Sequence, residues 1–337
     1  VSTLRTKMTE LLTRDRKREY LNLCTQNYAE AVSIAQELFP EQYEKANTGM
    51  DTFDSFYDKA IEAKERGNTQ EEIRILETAV HHGSAMPYCY ERLAILHSKQ
   101  ENYEQAYEVC VKWFDSVFWK LPNASTSSLR LLDRLEKLRE KVITKMCISL
   151  EKAHVKGVPE YIKRLRANAN SANFEDFHLE GRAALMFSKA GLDVTMRDSP
   201  DLAVRFNNEQ FYAEVKHFRL KKQDQYGDTV PPAWEQIYNV AKDKIKQYKE
   251  HSPNILVIEN STDHIEELDI PTAIDRINQD VRSGKCPGLA KLNGILLITL
   301  HWYNISQERQ VYFRQTSNPA ISLSRELFFL LDDIHHG

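Results

Sequence analysis

The sequence predicts an α-helical N-terminal repeat or bundle joined to an α/β C-terminal domain with a mixed sheet. Three observations carry this expectation. Residues 53–118 repeat a helix–turn–helix pattern every 33 to 34 residues. Leu129, Leu132, Leu135, Leu138, Val142 and Met146 then form one apolar stripe at helical spacing. From Phe174 onward the pattern turns to short β-like runs separated by helices, in the order α-β-β-β-α-β.

In order along the chain, 1–38 reads as two helices, the first basic (Arg14, Arg16, Lys17, Arg18), the second carrying Tyr28, Ala31, Ile34 and Leu38. Pro40 is expected to close that segment. In the repeat, Tyr57 recurs as Tyr90 and Ala60 as Leu93 or Ala94, while the turn Arg66-Gly67-Asn68 recurs as Gln100-Glu101-Asn102. Two tetratricopeptide-like units, resembling a family of stacked helix pairs that present a surface to a protein or peptide, fit this period; an irregular bundle is the alternative. Residues 122–128 read as a loop, with Ser127 or Ser128 capping a helix that runs to about His154. A short basic helix and a polar stretch at 167–173 follow, and the composition shift there sets the domain boundary. The expected divisions are 1–50, terminal helices; 51–120, helical repeats; 121–170, a basic connector; and 171–337, the α/β domain.

In that domain the expected elements are a helix at 174–190 ended by Gly191 and strands at 192–196, 202–206 and 211–218, with a hairpin turn at Asn207-Asn208. A helix at 233–251, a buried strand at 255–258, a helix at 271–283 and a buried strand at 294–300 complete it.

A net charge of −4 makes the whole chain no general polyanion binder. The charge is uneven, however. Residues 41–110 carry 7 basic and 14 acidic side chains, whereas 111–170 carry 13 and 6, so a nucleic-acid surface would have to be local. No apolar run approaches the roughly 20 residues that span a bilayer. The five cysteines lie scattered without a CxxC pair, and His81–His82 and His335–His336 are adjacent rather than spaced as ligands, which points away from zinc and toward an intracellular, cytoplasmic or nuclear, setting. Gly-rich phosphate loops, GxSxG, HExxH and EF-hand spacings are absent.

The chemistry concentrates at Pro200-Asp201 and Glu214-Val215-Lys216. Residues two apart in a strand share a face, so Glu214 and Lys216 point the same way. Hairpin pairing then brings Asp201 toward Glu214. Two carboxylates suit Mg²⁺ or Mn²⁺, and a lysine suits orienting an attacking water. An acid-x-Lys alone says little, since Glu62-Ala63-Lys64 also matches on a helix. A surface ion pair between Glu214 and Lys216 is the plain structural alternative.

With its helix–Gly–strand lead-in, the segment of about 140 residues from Phe174 resembles the PD-(D/E)xK nuclease superfamily, the fold of many restriction enzymes. The resemblance implies a Mg²⁺- or Mn²⁺-dependent nuclease with a restriction-endonuclease-like core. It makes Asp201, Glu214 and the Val215 backbone carbonyl metal ligands and Lys216 the catalytic lysine. An additional acid on the first helix falls on Glu180, with Glu175 as second choice. Phosphate contacts fall on Gln236 and Lys244 of the following helix and on Arg219, Lys221 and Lys222 of the loop 219–232. Trp302-Tyr303 is a stacking candidate or a packing pair. The expected partners are nucleic acid, DNA before RNA, and a protein on the helical repeats, with homo-oligomers allowed and no membrane. The alternative is a non-catalytic scaffold or nucleic-acid-binding adaptor that keeps a nuclease-like fold.

Overall fold

The computed structural model describes residues 3–169, 173–218, 232–260, 268–303, 306–317 and 319–334, with the backbone alone at 47–55, 260, 300–303 and 306–309. Arg219, Lys221 and Lys222, the side chains of Trp302 and Tyr303, and His335–His336 lie outside the described residues. The chain divides into two compact units, Val1–Val142 and Ile143–Gly337.

The first unit is helical. Where two helices are expected, the chain forms three, α1 (Thr3–Thr13), α2 (Lys17–Gln26) and α3 (Tyr28–Leu38). Asp15, at φ 52°, breaks the first from the second. Pro40 opens α4 (Pro40–Glu65) instead of closing the segment. At the first helical position proline's missing N–H would have had no partner anyway. The repeat region folds as α4, α5 (Thr69–His81), α6 (Pro87–Lys99) and α7 (Tyr103–Asp115), each packed on the next. Ala60, Ala94 and Ala106 are fully buried, and small side chains let the helices approach closely. Asn68 caps α5 by accepting from the Glu71 N–H at 3.2 Å. Between the helical pairs, Arg92 of α6 grips the buried Glu72 of α5 with bonds of 2.6 and 2.8 Å.

The expected loop at 122–128 is shorter than predicted. Pro122–Ala124 makes one 3₁₀ turn and leads straight into α8 (Ser125–Lys152). Ser127 and Ser128 are therefore inside the helix and do not cap it. Ser128 Oγ instead accepts from the buried Trp113 indole N–H at 2.9 Å.

The second unit begins within α8, earlier than the composition shift suggests. The link after α8 runs beside the first strand: Lys156 N–H donates to the Val194 carbonyl at 3.0 Å, and Lys156 O accepts from Met196 N–H at 2.8 Å. At the next residue Gly157 has φ 77°, and a Cβ there would meet the Met196 carbonyl oxygen at 2.5 Å. Backbone pairing thus ties α9 (Val158–Ala167) to the α/β unit.

That unit contains α10 (Phe174–Lys189), β1 (Asp193–Met196), β2 (Leu202–Phe206), β3 (Glu209–Phe218), α11 (Ala233–Asp243), β4 (Asn254–Asn260), α12 (Asp269–Arg282), β5 (Leu292–Tyr303), β6 (Ser306–Gln315) and α13 (Arg325–Asp332). The sheet order is β1-β2-β3-β4-β5-β6. The first three strands form an antiparallel meander, β3-β4 and β4-β5 are parallel, and β6 returns antiparallel to β5. The α-β-β-β-α-β order and mixed sheet agree with the sequence reading. The helix expected to reach 251 ends at Asp243, and β6 and α13 extend the fold beyond the expected elements.

Alternation in the strands assigns the two faces. Leu256, Ile258, Ile295 and Leu297 pack with Ile237 and Ala241 of α11 and Ile270, Ala273 and Ile277 of α12. On the opposite face Phe187 of α10 meets Phe211 of β3 edge to face, with ring centroids 5.6 Å apart. Helices therefore cover both faces of the sheet.

The contact of α10 with α8 and α9 is tight at Gly181. A Cβ there would lie 2.3 Å from the Tyr161 hydroxyl and 2.8 Å from Met146 Sδ. Tyr161 is fully buried and donates to the Phe177 carbonyl at 2.9 Å. Gly181→Ala is expected to cost about 1–3 kcal/mol through overpacking, read from urea denaturation. In combination with Tyr161→Phe the two costs should fall short of their sum, because removing the hydroxyl relieves the closest approach. Full additivity would show that the helices do not meet there.

Candidate active site

The site is built where β3 outruns its neighbour. In the antiparallel pair Leu202 stands opposite Ala213, so the ladder ends just before Asp201 and Glu214. The remaining β3 residues, 214–218, pair with β4 through Leu256 to Asn260 but have no β2 partner. The Val215 N–H points to this open edge and is satisfied by a side chain: Asp201 Oδ2 accepts it at 2.8 Å. A strand residue projects its N–H and C=O to the same side, so the Val215 carbonyl faces the edge as well.

Asp201, Glu214 and Glu180 are all buried, at 8%, 2% and 6% exposure. Their electrostatics couple the three into one group. Burial, reinforced by Asp201 and opposed by Arg164 and Lys244, pushes the Glu180 carboxyl up to about 9. Burial and Asp201 push Glu214 up to about 7 against the pull of Lys244. Asp201 is raised by burial too, with Lys244 and the Val215 N–H working in the other direction. Burying carboxylates costs several kcal/mol per ion unless compensated, which is why protonation is favoured here.

Among the described residues, Lys244 and Arg164 meet the three carboxylates. Lys244, just past the last turn of α11, places Nζ 2.8 Å from Glu214 Oε2. Burial alone would lower its pKa, but Asp201, Glu214 and Glu180 outweigh that and raise it. Arg164, on α9, approaches Glu180 Oε2 at 3.3 Å and Asp198 at 3.3 Å, and donates to the Arg197 carbonyl at 2.8 Å. Lys216 sits on the strand face of Glu214, half-buried, with Nζ 3.2 Å from Asp176 Oδ2.

The structure thus gathers Asp201, Glu214, Glu180 and Lys244, with Lys216 two residues along the same face. Gln236 is half-buried in the first turn of α11, eight residues before Lys244 and so roughly 12 Å away along a helix. Arg164 and Asp176 escaped the sequence reading. Asp176 carried a signal, since it precedes Glu180 by four residues and so shares its helix face. Arg164 carried none, because it lies before the assumed domain boundary. A second buried ionic group, Arg182 of α10 with Glu259 of β4 and His217 Nε2 3.8 Å from Glu259, lies on the α10 face of the sheet.

As the side chains stand, no three His, Cys, Asp or Glu residues among the described residues are arranged to hold one ion. The ammonium of Lys244 and the N–H of Val215 take two of the carboxylate oxygens. The donor set nevertheless fits a hard divalent cation. Glu214 Oε1 is buried without a hydrogen-bond partner, Asp201 holds the Val215 N–H on the edge that the Val215 carbonyl also faces, and the charges of Asp201 and Glu214 reach Glu180. No family model, curated protein or solved structure matches the chain.

The raised carboxylates set a pH dependence. Glu180 and Glu214 bind protons more tightly when folded than when unfolded, so the stability they give is complete below about 4.5 and is lost as pH rises through about 7 and about 9. In chelator, the urea midpoint is expected to fall between pH 5 and pH 9. Glu180→Gln, which cannot ionise, should flatten the upper part of that decline. A wild-type midpoint that climbs across this window, or a Glu180→Gln profile parallel to it, would contradict the assignment.

Proposed function

We propose that the second unit is a metal-dependent nuclease that hydrolyses phosphodiester bonds of nucleic acid. The observation that carries the reading is the buried convergence of Asp201, Glu214 and Glu180 at the unpaired edge of β3, with Lys216 on the same strand face as Glu214. That arrangement also accords with the resemblance to PD-(D/E)xK nucleases, in which α-β-β-β-α-β order places such residues together.

Asp201, Glu214 and the Val215 carbonyl would hold Mg²⁺ or Mn²⁺, with Glu180 sharing or tuning it. When bound, the ion supplies Lewis-acid charge to the phosphate and makes a coordinated water more acidic. The chain's own residues do the rest. Asp201, fixed by the Val215 N–H, is held in one orientation and spends no reorganisation on binding. Lys216 is a compact point charge at the rim, where it orients the attacking water and offsets charge growing on the phosphate. Asp176 keeps its ammonium in place. Arg219, Lys221 and Lys222, directly after β3, and Gln236 at the start of α11 are proposed phosphate contacts. DNA is the preferred substrate over RNA on the resemblance alone. The helical unit is assigned a protein partner or a regulatory part.

Cleavage of labelled single- and double-stranded DNA and RNA in Mg²⁺ or Mn²⁺ is expected, and is abolished by chelator. Asp201→Ala and Lys216→Ala should each lower the rate at least about a hundredfold, as removal of a charge-stabilising group does elsewhere. Cutting that survives both substitutions would place the activity outside this site. Absence of cutting with salt-sensitive binding would favour a nucleic-acid adaptor.

A further inference from the structure

Lys244 is placed unlike a substrate-contacting lysine waiting in solvent. It sits at the C-terminal end of α11 and aims Nζ at Glu214 Oε2, at 2.8 Å, on the carboxylate group proposed to hold the metal. Its side chain is 19% exposed and that of Glu214 2%, so the contact lies inside the cluster and not on its rim. The fields of Asp201 and Glu180 reach the same ammonium. By contrast Lys216, two residues from Glu214, is drawn toward Asp176.

We propose that Lys244 is an internal counter-ion that occupies the metal's place on Glu214 and must be displaced before a divalent cation binds. The inference rests on the nuclease reading and adds a regulatory step to the same site. The geometry supplies its reasons. An ammonium with three donors can touch several carboxylate oxygens but cannot share Glu214 Oε2 with a divalent ion at coordination distance, because like charges that close repel strongly in a partly buried site. Without Lys244 the buried carboxylates lose the ammonium whose charge offsets theirs, while Arg164 stays on Glu180. With Lys244 in place the protein keeps its fold at low metal concentration. Once a divalent ion takes over the carboxylates, the released ammonium stands beside the place where a phosphate would arrive. Metal affinity is thereby set weak, and the site stays idle until the ion concentration rises.

Mn²⁺ titration of the full chain, following loss of the free-ion paramagnetic signal, tests this without reference to activity. Lys244→Met is expected to bind Mn²⁺ at least about tenfold more tightly than wild type, the scale set by removing a like charge from a low-dielectric site. Lys244→Arg, which keeps the charge, and Lys242→Met, an exposed neighbour, should stay with the wild type. Asp201→Asn should weaken binding in every background. Where Lys244→Met fails to fold in chelator, Lys244→Gln is read instead by thermal melting, and a larger Mn²⁺-induced rise in Tm than wild type is the supporting result. Equal or weaker binding by the neutral variants, with Asp201-dependent binding in wild type, overturns the counter-ion role alone. If no variant binds Mn²⁺, both the counter-ion role and the metal-dependent reading fall.

Discussion

The early end of the β2–β3 ladder is the constraint on which the rest depends. β3 continues for five residues past Ala213 with only β4 beside it. Each such residue that points the other way has a backbone donor and acceptor to satisfy, and leaving either unpaired in the interior costs on the order of 1–3 kcal/mol. Asp201 meets one of these needs by accepting from Val215 N–H. The same bond brings a carboxylate to the strand that carries Glu214. An electrostatic site and a hydrogen-bonding deficit are thus one feature of the backbone, and neither exists without the mismatch in strand length.

Three carboxylates in so little space are unfavourable by themselves. The fold accepts them because cations arrive from two different elements, Lys244 from the end of α11 and Arg164 from α9, and because burial lets the carboxyl groups keep protons. Compensation of this kind is local and incomplete, as the unpartnered Glu214 Oε1 records. Strain of a purely structural ion-pair network would have been removed more simply by apolar substitution, which is often neutral or stabilising. The second ionic group, around Glu259, shows the contrast: there one arginine and one histidine face a single carboxylate.

Helix packing carries the positioning of the acidic helix. Gly181 lets α10 lie against Tyr161 and Met146, and Glu180 is the residue before it. The segment from Ile143 to Ala167 therefore belongs functionally to the sheet-containing unit, although its composition is that of the helical region. Charge counts could not show this. Lys156 is joined to β1 by backbone bonds, and Gly157 lies against the Met196 backbone, in ways that no side-chain pattern announces.

Periodicity in the sequence was enough to place the repeat helices, the first three strands and the α-β-β-β-α-β order, because amphipathic spacing is a local property of each element, but it missed one of the three helices before Pro40 and all of α13. Spacing also singled out Asp201, Glu214 and Lys216, since a strand parity and a hairpin offset fix which residues can meet, whereas Glu180 came only from the resemblance to PD-(D/E)xK nucleases. β6 escaped because its sequence, SQERQVYFRQ, reads as mostly polar; among its described side chains Phe313 is the one buried deeply. Pro40 and Ser128 misled because proline and serine each serve two opposite roles at helix ends, and only the neighbouring turn selects between them. Tertiary structure alone decided that Arg164 and Asp176 join the site, that Lys244 lies on Glu214, and that the second unit starts at Ile143. Those are contacts between elements distant in sequence, set by where β2 stops and how α9 and α10 pack, and pattern along a single chain carries no record of them.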